Sequence, residues 1–289
     1  MKGAGLGRVA LNIDSRGRGA VLNPPMTEPQ RHLPFDGVIN FRDFGGYATA
    51  EGGRLRWKKL FRSAHLANLT DADHARLIDL GISAICDFRT VDESARGASR
   101  LPAVPFDRLH LDIWPASTHR PTVVARGLID GESLESVFDA QRKMYQSLVA
   151  DFSDRYARMF QQILRNEGRP VLIHCRGGRD RTGFGAAIIL SALGVPEDVI
   201  YEDYLRTNLS PGANDFVGTL AEKYAGPEKG RTRAELEELF GRVFPVRAEN
   251  LKAAFDEIHA RHGSIEGYLR DAVQVGDAER AKLRAWFLE

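Results

Sequence analysis

One stretch of this sequence concentrates its chemistry: Val171-Leu172-Ile173-His174-Cys175-Arg176-Gly177-Gly178-Arg179-Asp180-Arg181-Thr182-Gly183. An apolar strand ending at His174 runs into a Gly-containing loop. A helix then starts near Arg181 and continues to Gly194, with Pro196 just beyond. Strand, tight loop and helix N-terminus gather backbone N–H groups at the positive end of a helix dipole, a geometry that suits a phosphate dianion. Gly177 and Gly178 allow the close backbone approach such a cradle needs. Cys175 opens the loop and Arg181 follows in a C-x5-R spacing. A thiol facing a helix start and a guanidinium ionises more readily than a free one and becomes a nucleophile. Arg181 can clamp two non-bridging oxygens and meet the charge that builds on them. Thr182 offers a hydroxyl to the thiolate or the leaving oxygen, and Arg176, Gly177, Gly178, Arg179 and Gly183 complete the candidate phosphate-binding set. A nucleotide-binding G-x-x-x-x-G-K-[ST] loop is absent. An inert core cysteine would account for Cys175 alone, but not for the Gly pair or the spaced arginine.

The flanking sequence predicts the scaffold that holds this loop. The segments 56–63, 82–88, 109–113 and 171–173 read as strands, and the last but one closes on Trp114-Pro115. Thr70 and Asp73 make a capping-box start for a helix to residue 80, with Gly81 as its stop. The amphipathic stretch 134–165 predicts two helices, and beyond Gly194 the chain reads as helical at 197–207, 214–225, 232–241, 248–261 and 277–288. Alternating strands and helices predict an α/β fold with a central, mostly parallel sheet flanked by helices. The helical C-terminal third is long for such a unit, so a lid is expected within about 208–262. Residues 1–33 are Gly-rich, carry five basic and two acidic residues, and lack apolar periodicity. They read as a disordered extension before a single domain at 34–289, with Met26 as an alternative start.

Composition excludes several classes. With 289 residues, 40 Lys+Arg against 39 Asp+Glu and a net charge of +1, no global field marks a nucleic-acid or membrane-surface binder. Two cysteines cannot staple a secreted scaffold or fill a four-thiolate zinc site. His259 and His262 lack a matching ligand, so no metal is expected. No apolar run reaches the ~20 residues of a membrane-spanning helix, and no signal-peptide pattern precedes the globular part. A cytoplasmic protein without cofactor is expected. Cys86 reads as core packing, with reversible capture of oxidised Cys175 as the alternative.

His174-Cys175-x-x-Gly178-x-Asp180-Arg181-Thr182-Gly183 resembles the signature of cysteine-dependent phosphatases, in particular the bacterial atypical (dual- and triple-specificity) protein tyrosine phosphatases. Asn40-Phe41-Arg42-Asp43 with Gly45-Gly46, Phe61-Arg62-Ser63, Leu69-Thr70 and Asp87-Phe88-Arg89 are similar to that family's N-terminal landmarks. Asp203-Tyr204-Leu205 with Asn208, and Gly267-Tyr268-Leu269-Arg270-Asp271, are similar to its C-terminal ones. The family usually carries Lys where Arg179 stands, which keeps the charge but changes the donor geometry. The resemblance implies a cysteine-phosphatase-like fold and metal-independent hydrolysis through a phosphocysteine. It implies phosphotyrosine proteins as substrates, with phosphoserine/threonine and phosphoinositides in range, and a helical insert over the site.

Such a reaction needs an acid for the leaving oxygen, and two aspartates compete. Asp180 lies in the loop, where the resembled family places its acid. Asp112 precedes Trp114-Pro115, whereas other tyrosine phosphatases carry the acid after that pair, where this chain has Ala116. Asp180 is favoured because the loop fixes its geometry. Asp87, at a strand end, is an auxiliary candidate, with a salt bridge to Arg89 as the plainer reading. His174 is expected as a buried hydrogen-bonding residue beneath the loop. Asp203 is expected either to orient arginines or to sit on a helix surface. Three rival functions remain: a phosphoinositide-preferring lipid phosphatase, a sulfur-transfer enzyme, and a non-catalytic phosphate-binding module. Sulfur transfer has no use for Asp180, and binding alone needs no thiol.

Overall fold

The computed structural model describes residues 30–114, 121–210, 212, 215–226 and 230–289. The expected extension therefore lies, up to residue 29, outside the described residues, as do Pro115 and Ala116. Residues 31–289 form one compact unit. Arg31, inside the expected extension, stacks over Tyr47 and Trp57 and donates to the carbonyls of Asp43 and Gly45 at 3.0 and 2.8 Å.

The sheet has five strands: β1 (Arg42–Asp43), β2 (Leu60–Ser63), β3 (Ala84–Asp87), β4 (Asp107–His110) and β5 (Val171–His174). Their spatial order is β1-β2-β5-β3-β4, antiparallel only at the β1 edge. The strand leading to the chemistry-bearing loop is thus central. Its neighbours place Ser63 and Asp87 on either side of His174. Period-two alternation sends Leu60, Val171, Ile173, Ala84 and Cys86 into the main core. Phe61, Leu172 and Ile85 go to the opposite face, under α1 (Asp71–Asp79). Both faces are covered, so these strands read as continuous apolar runs. The expected strand at 56–63 starts only at Leu60. Lys58 adopts a left-handed φ of +61° and gives its N–H to the Asp43 carboxylate at 2.6 Å, which turns the chain there.

α1 has the expected Thr70/Asp73 capping box. The stretch 134–165 forms α4 (Leu134–Ala150) and α5 (Ser153–Arg165), after two helices not anticipated, α2 (Val91–Arg96) and α3 (Pro121–Ile129). α6 (Asp180–Leu193) ends on Gly194 in the left-handed conformation, φ +84°. It is followed by α7 (Glu197–Leu205) with a 3-10 turn (Arg206–Leu209), α8 (Asp215–Tyr224), α9 (Arg233–Val243), α10 (Ala248–His262), α11 (Ile265–Asp271) and α12 (Asp277–Phe287). α11 was not anticipated; Ser264 caps it by accepting from the Gly267 N–H.

The helices serve two cores. α5, α6, α10 and α12 bury Phe160, Phe184, Leu251 and Phe287 against the sheet. α3, α8 and α9 close a separate cluster around Ala125, Leu220, Leu236 and Phe240. α4 belongs to both, with Val137 in the helical cluster and Tyr145 and Leu148 in the main core. Among the described residues no helix is long and apolar enough to cross a membrane. Truncating Leu172, fully buried on β5, to Ala should lower stability by about 2–5 kcal/mol. A lower urea midpoint with an unchanged slope in chemical denaturation is the check.

Candidate active site

Cys175 follows β5 directly and is buried. α6 begins five residues later, and its N-cap Arg179 makes no side-chain cap, so the N–H groups of the first turn are not claimed by their own cap residue. Between the two, Gly178 takes a φ of +65°, and a Cβ there would collide with the Ser63 carbonyl of β2. Only glycine lets the loop lie this close to the neighbouring strand. The Gly178 carbonyl is gripped by Asn40 Nδ2 at 2.8 Å and Arg62 Nη2 at 3.1 Å. Arg62 Nη1 donates to Asp203 Oδ2 at 2.7 Å, and Tyr47 donates to Oδ1 at 3.1 Å. Arg42 joins this cluster, with Nη2 donating to the Asp203 carbonyl at 3.0 Å and Nη1 to the Asn40 side chain. All these polar side chains are buried. Burial pushes the Asp203 carboxyl up, but Arg42 and Arg62 outweigh it and carry the value down from 3.8 to about 2. Of the two roles expected for Asp203, the buried one orienting arginines matches this geometry.

Arg181 is held from three directions. Nη1 and Nη2 donate to the two oxygens of Glu93, at 2.6 and 3.0 Å, and Nη1 also reaches the carbonyls of Phe88 and Ile113 at 3.2 and 3.1 Å. Burial opposes its charge, yet Cys175, Glu93 and Asp180 outweigh that and hold the guanidinium well above its ordinary value. The end-on face of the fork is therefore occupied. Among the described residues no acceptor takes the Nε–H, which leaves the Nε/Nη2 side for two oxygens of a ligand. Glu93 is also the N3 residue of α2, accepting from the Thr90 N–H at 2.9 Å while Thr90 caps the Glu93 N–H. The capping signature Thr90-x-x-Glu93 was the one sequence signal that could have pointed to Glu93.

Asp180 accepts a hydrogen bond from the Tyr145 hydroxyl of α4 at 2.9 Å, and Tyr145 lies 2.6 Å from the Tyr204 hydroxyl of α7. Neither the Tyr145–Asp180 bond nor the Tyr145–Tyr204 approach has a sequence signal. Gly183 is glycine for a packing reason, since a Cβ there would meet the Tyr204 ring at 2.9 Å.

The other expected residues occupy varied positions. Asp87 is forked by Arg89, whose Nη2 lies 2.6 Å away, matching its plainer reading as a salt-bridge partner. Asp112, at a left-handed φ of +41°, accepts from the Val91 N–H at 3.1 Å at the start of α2, next to the Ile113 carbonyl that receives Arg181. His174 is buried beneath the loop, and burial lowers its value to about 4, so it is neutral at pH 7. Arg176 is solvent-exposed, whereas Arg179 donates to the Phe244 carbonyl at the end of α9. Thr182 is buried, and its hydroxyl has no protein partner among the described residues. Cys86 sits in the main core, where burial and then Asp107 push its thiol up to about 12.

A central parallel strand delivering a buried cysteine to an uncapped helix start, under a clamped arginine, defines the cysteine-loop class of phosphate-handling sites. The sequence matches the tyrosine phosphatase family over residues 33–289, and the chain belongs to that family. It is 38% identical over 266 residues, 84% of this chain and 93% of the relative, to the triple specificity protein phosphatase PtpB of Mycobacterium tuberculosis. A putative tyrosine-protein phosphatase of Cupriavidus necator is 34% identical over 261 residues, covering 89% of each chain. Among solved structures, P. aeruginosa TpbA aligns at 19% identity with a TM-score of 0.31, over 68% of this chain and 97% of its own. Enzyme class and the mixed sheet with its helical C-terminal portion thus agree with the sequence-based expectations.

Two substitutions test the loop's support. Gly178→Ala should cost more than about 1 kcal/mol through its left-handed φ and the collision with β2. Gly177→Ala, which meets only the Arg179 side chain at 3.4 Å, should be far milder in thermal denaturation. Because Asp203 titrates lower in the folded chain than in the unfolded one, its stabilisation is complete above about pH 4 and is lost as pH falls towards 2. Asp203→Asn should remove that acid-dependent part and, by leaving two buried guanidinium groups under-compensated, destabilise the fold by about 3–5 kcal/mol. Denaturation at a series of pH values is the measurement.

Proposed function

We propose that this protein hydrolyses phosphomonoesters through a phosphocysteine intermediate, without a metal ion. The Cys175 thiolate attacks phosphorus, the bond to the leaving oxygen breaks, and Asp180 gives that oxygen its proton. Asp180, now a carboxylate, takes a proton from water as the water attacks phosphorus; orthophosphate departs and the thiolate returns. Arg181 and the loop N–H groups from Arg176 to Thr182 hold the equatorial oxygens, and the Thr182 hydroxyl serves the sulfur or the leaving group; the Gly183 N–H is taken by the Arg179 carbonyl at 2.8 Å. The observation carrying this reading is the donor use on Arg181: its end-on face is filled by Glu93 and two carbonyls, while among the described residues its Nε–H meets no acceptor.

Phosphotyrosine proteins are the proposed principal substrates, with phosphoserine/threonine and phosphoinositides in the range. Relatives named as tyrosine and triple specificity phosphatases support that breadth. We assign the domain to residues 34–289 and the lid to α8 and α9, within the expected 208–262. Their apolar faces close a core of their own, and Arg179 ties the loop to the end of α9. α10, by contrast, packs into the main core through Leu251, Ala254 and Ile258.

Hydrolysis of aryl phosphates in the presence of a chelator tests the chemistry. Cys175→Ser should abolish turnover, and Asp180→Asn should lower kcat on poor leaving groups by about 10²–10⁴-fold. Full activity in the Cys175→Ser protein would overturn the mechanism, and retention of the wild-type leaving-group dependence in Asp180→Asn would shift the acid role to Asp112. Glu93→Gln should weaken phosphate binding and lower kcat together, because the guanidinium loses its charged anchor. A phosphotyrosine peptide compared with short-chain phosphoinositides on one preparation ranks the substrate classes.

A further inference from the structure

The Tyr204–Tyr145–Asp180 chain is a buried polar arrangement that the reaction scheme does not use, separate from the Arg42–Arg62–Asp203 cluster that holds the loop. Tyr145 has a single hydroxyl proton, and it is directed to Asp180 Oδ1. The 2.6 Å approach of the two phenols then requires Tyr204 to donate to the Tyr145 oxygen. The chain therefore has one direction, Tyr204 to Tyr145 to Asp180. Both rings are fully buried: Tyr145 is packed by α4 and Tyr204 lies against Gly183 of α6. They meet edge to face, with centroids 6.2 Å apart. A hydroxyl locked in this way can act only on the carboxyl oxygen it touches.

We propose that Tyr145, braced by Tyr204, is the positioning residue for Asp180: it pins Oδ1 and leaves Oδ2 to carry the proton delivered to the leaving group. This inference rests on Asp180 being the acid of the proposed reaction. When Asp180 is protonated on Oδ2, Oδ1 still accepts from Tyr145, so the carboxyl keeps one rotamer in both protonation states. The charge of Asp180 acts on Tyr145 of α4, Tyr156 of α5, Tyr204 of α7 and Arg181 of its own helix; Cys175 acts on the same Arg181. Of these only Tyr145 donates a hydrogen bond to Asp180.

The test compares wild type, Tyr145→Phe, Tyr204→Phe and Asp180→Asn on aryl phosphates spanning good and poor leaving groups, each across pH. Tyr145→Phe should slow poor leaving groups by about tenfold while hardly affecting good ones. It should also displace the alkaline limb of the kcat profile, since a donor to the reacting carboxyl is gone. Tyr204→Phe, which removes only the brace, should move both readouts the same way by less, and it serves if Tyr145→Phe does not fold. A loss of packing alone would slow every substrate equally and leave the limb in place. If the limb and the leaving-group dependence stay at wild-type values in the folded tyrosine variants while Asp180→Asn steepens that dependence, the Tyr145 role is overturned and the acid assignment stands. If Asp180→Asn itself leaves the dependence flat, the acid assignment falls and takes the Tyr145 role with it.

Discussion

Asp203 brings a negative charge into full burial between Arg42 and Arg62, and the shape of the loop follows from that arrangement. The carboxylate comes from α7, the guanidinium groups from β1 and β2, and the carbonyl that Arg62 holds belongs to the β5–α6 loop. Removing charged groups from water is costly unless partners and hydrogen bonds satisfy them. Here each partner takes part in a contact that also locates a segment: Arg42 reaches the 3-10 turn through Thr207, and Tyr47 reaches Asp203. The short antiparallel strand β1, weak as a sheet element, is fixed at the edge by its buried side chain rather than by its two-residue ladder.

The candidate loop was legible in the sequence because the residues proposed to act in it are contiguous, and contiguity puts Cys175, Asp180 and Arg181 on one strand–loop–helix unit whatever surrounds it. The sheet was legible for a similar reason, since strands buried on both faces leave uninterrupted apolar runs. The partners were not. Asn40, Glu93 and Tyr145 meet the loop from 138, 88 and 35 residues away, and nothing in their local sequence specifies that closure. The resemblance marked the segments around Asn40, Arg62 and Asp203 as landmarks without saying what they do. In Glu93 a plain helix-start signature conceals a second task, because one carboxylate serves the Thr90 N–H and the Arg181 fork together.

Two hydrophobic cores sharing one helix give the molecule an uneven build. The sheet core fixes strand register and hence the level at which Cys175 emerges. The helical cluster of α3, α8 and α9 touches that frame through α4, and Arg179 ties the loop to the end of α9. Tyr145 stands on the sheet-core half of α4, so the group that touches Asp180 belongs to the better-anchored part of the structure.

The triple hold on Arg181 has a consequence for binding entropy. A free arginine side chain has about 2 kcal/mol of rotamer freedom to lose when it is immobilised. In this protein Glu93, Phe88 and Ile113 have already removed that freedom on folding. A dianion entering the loop meets a fork that is already oriented, so less of the energy of the new hydrogen bonds is consumed in ordering the protein and more of it remains to favour the transition state.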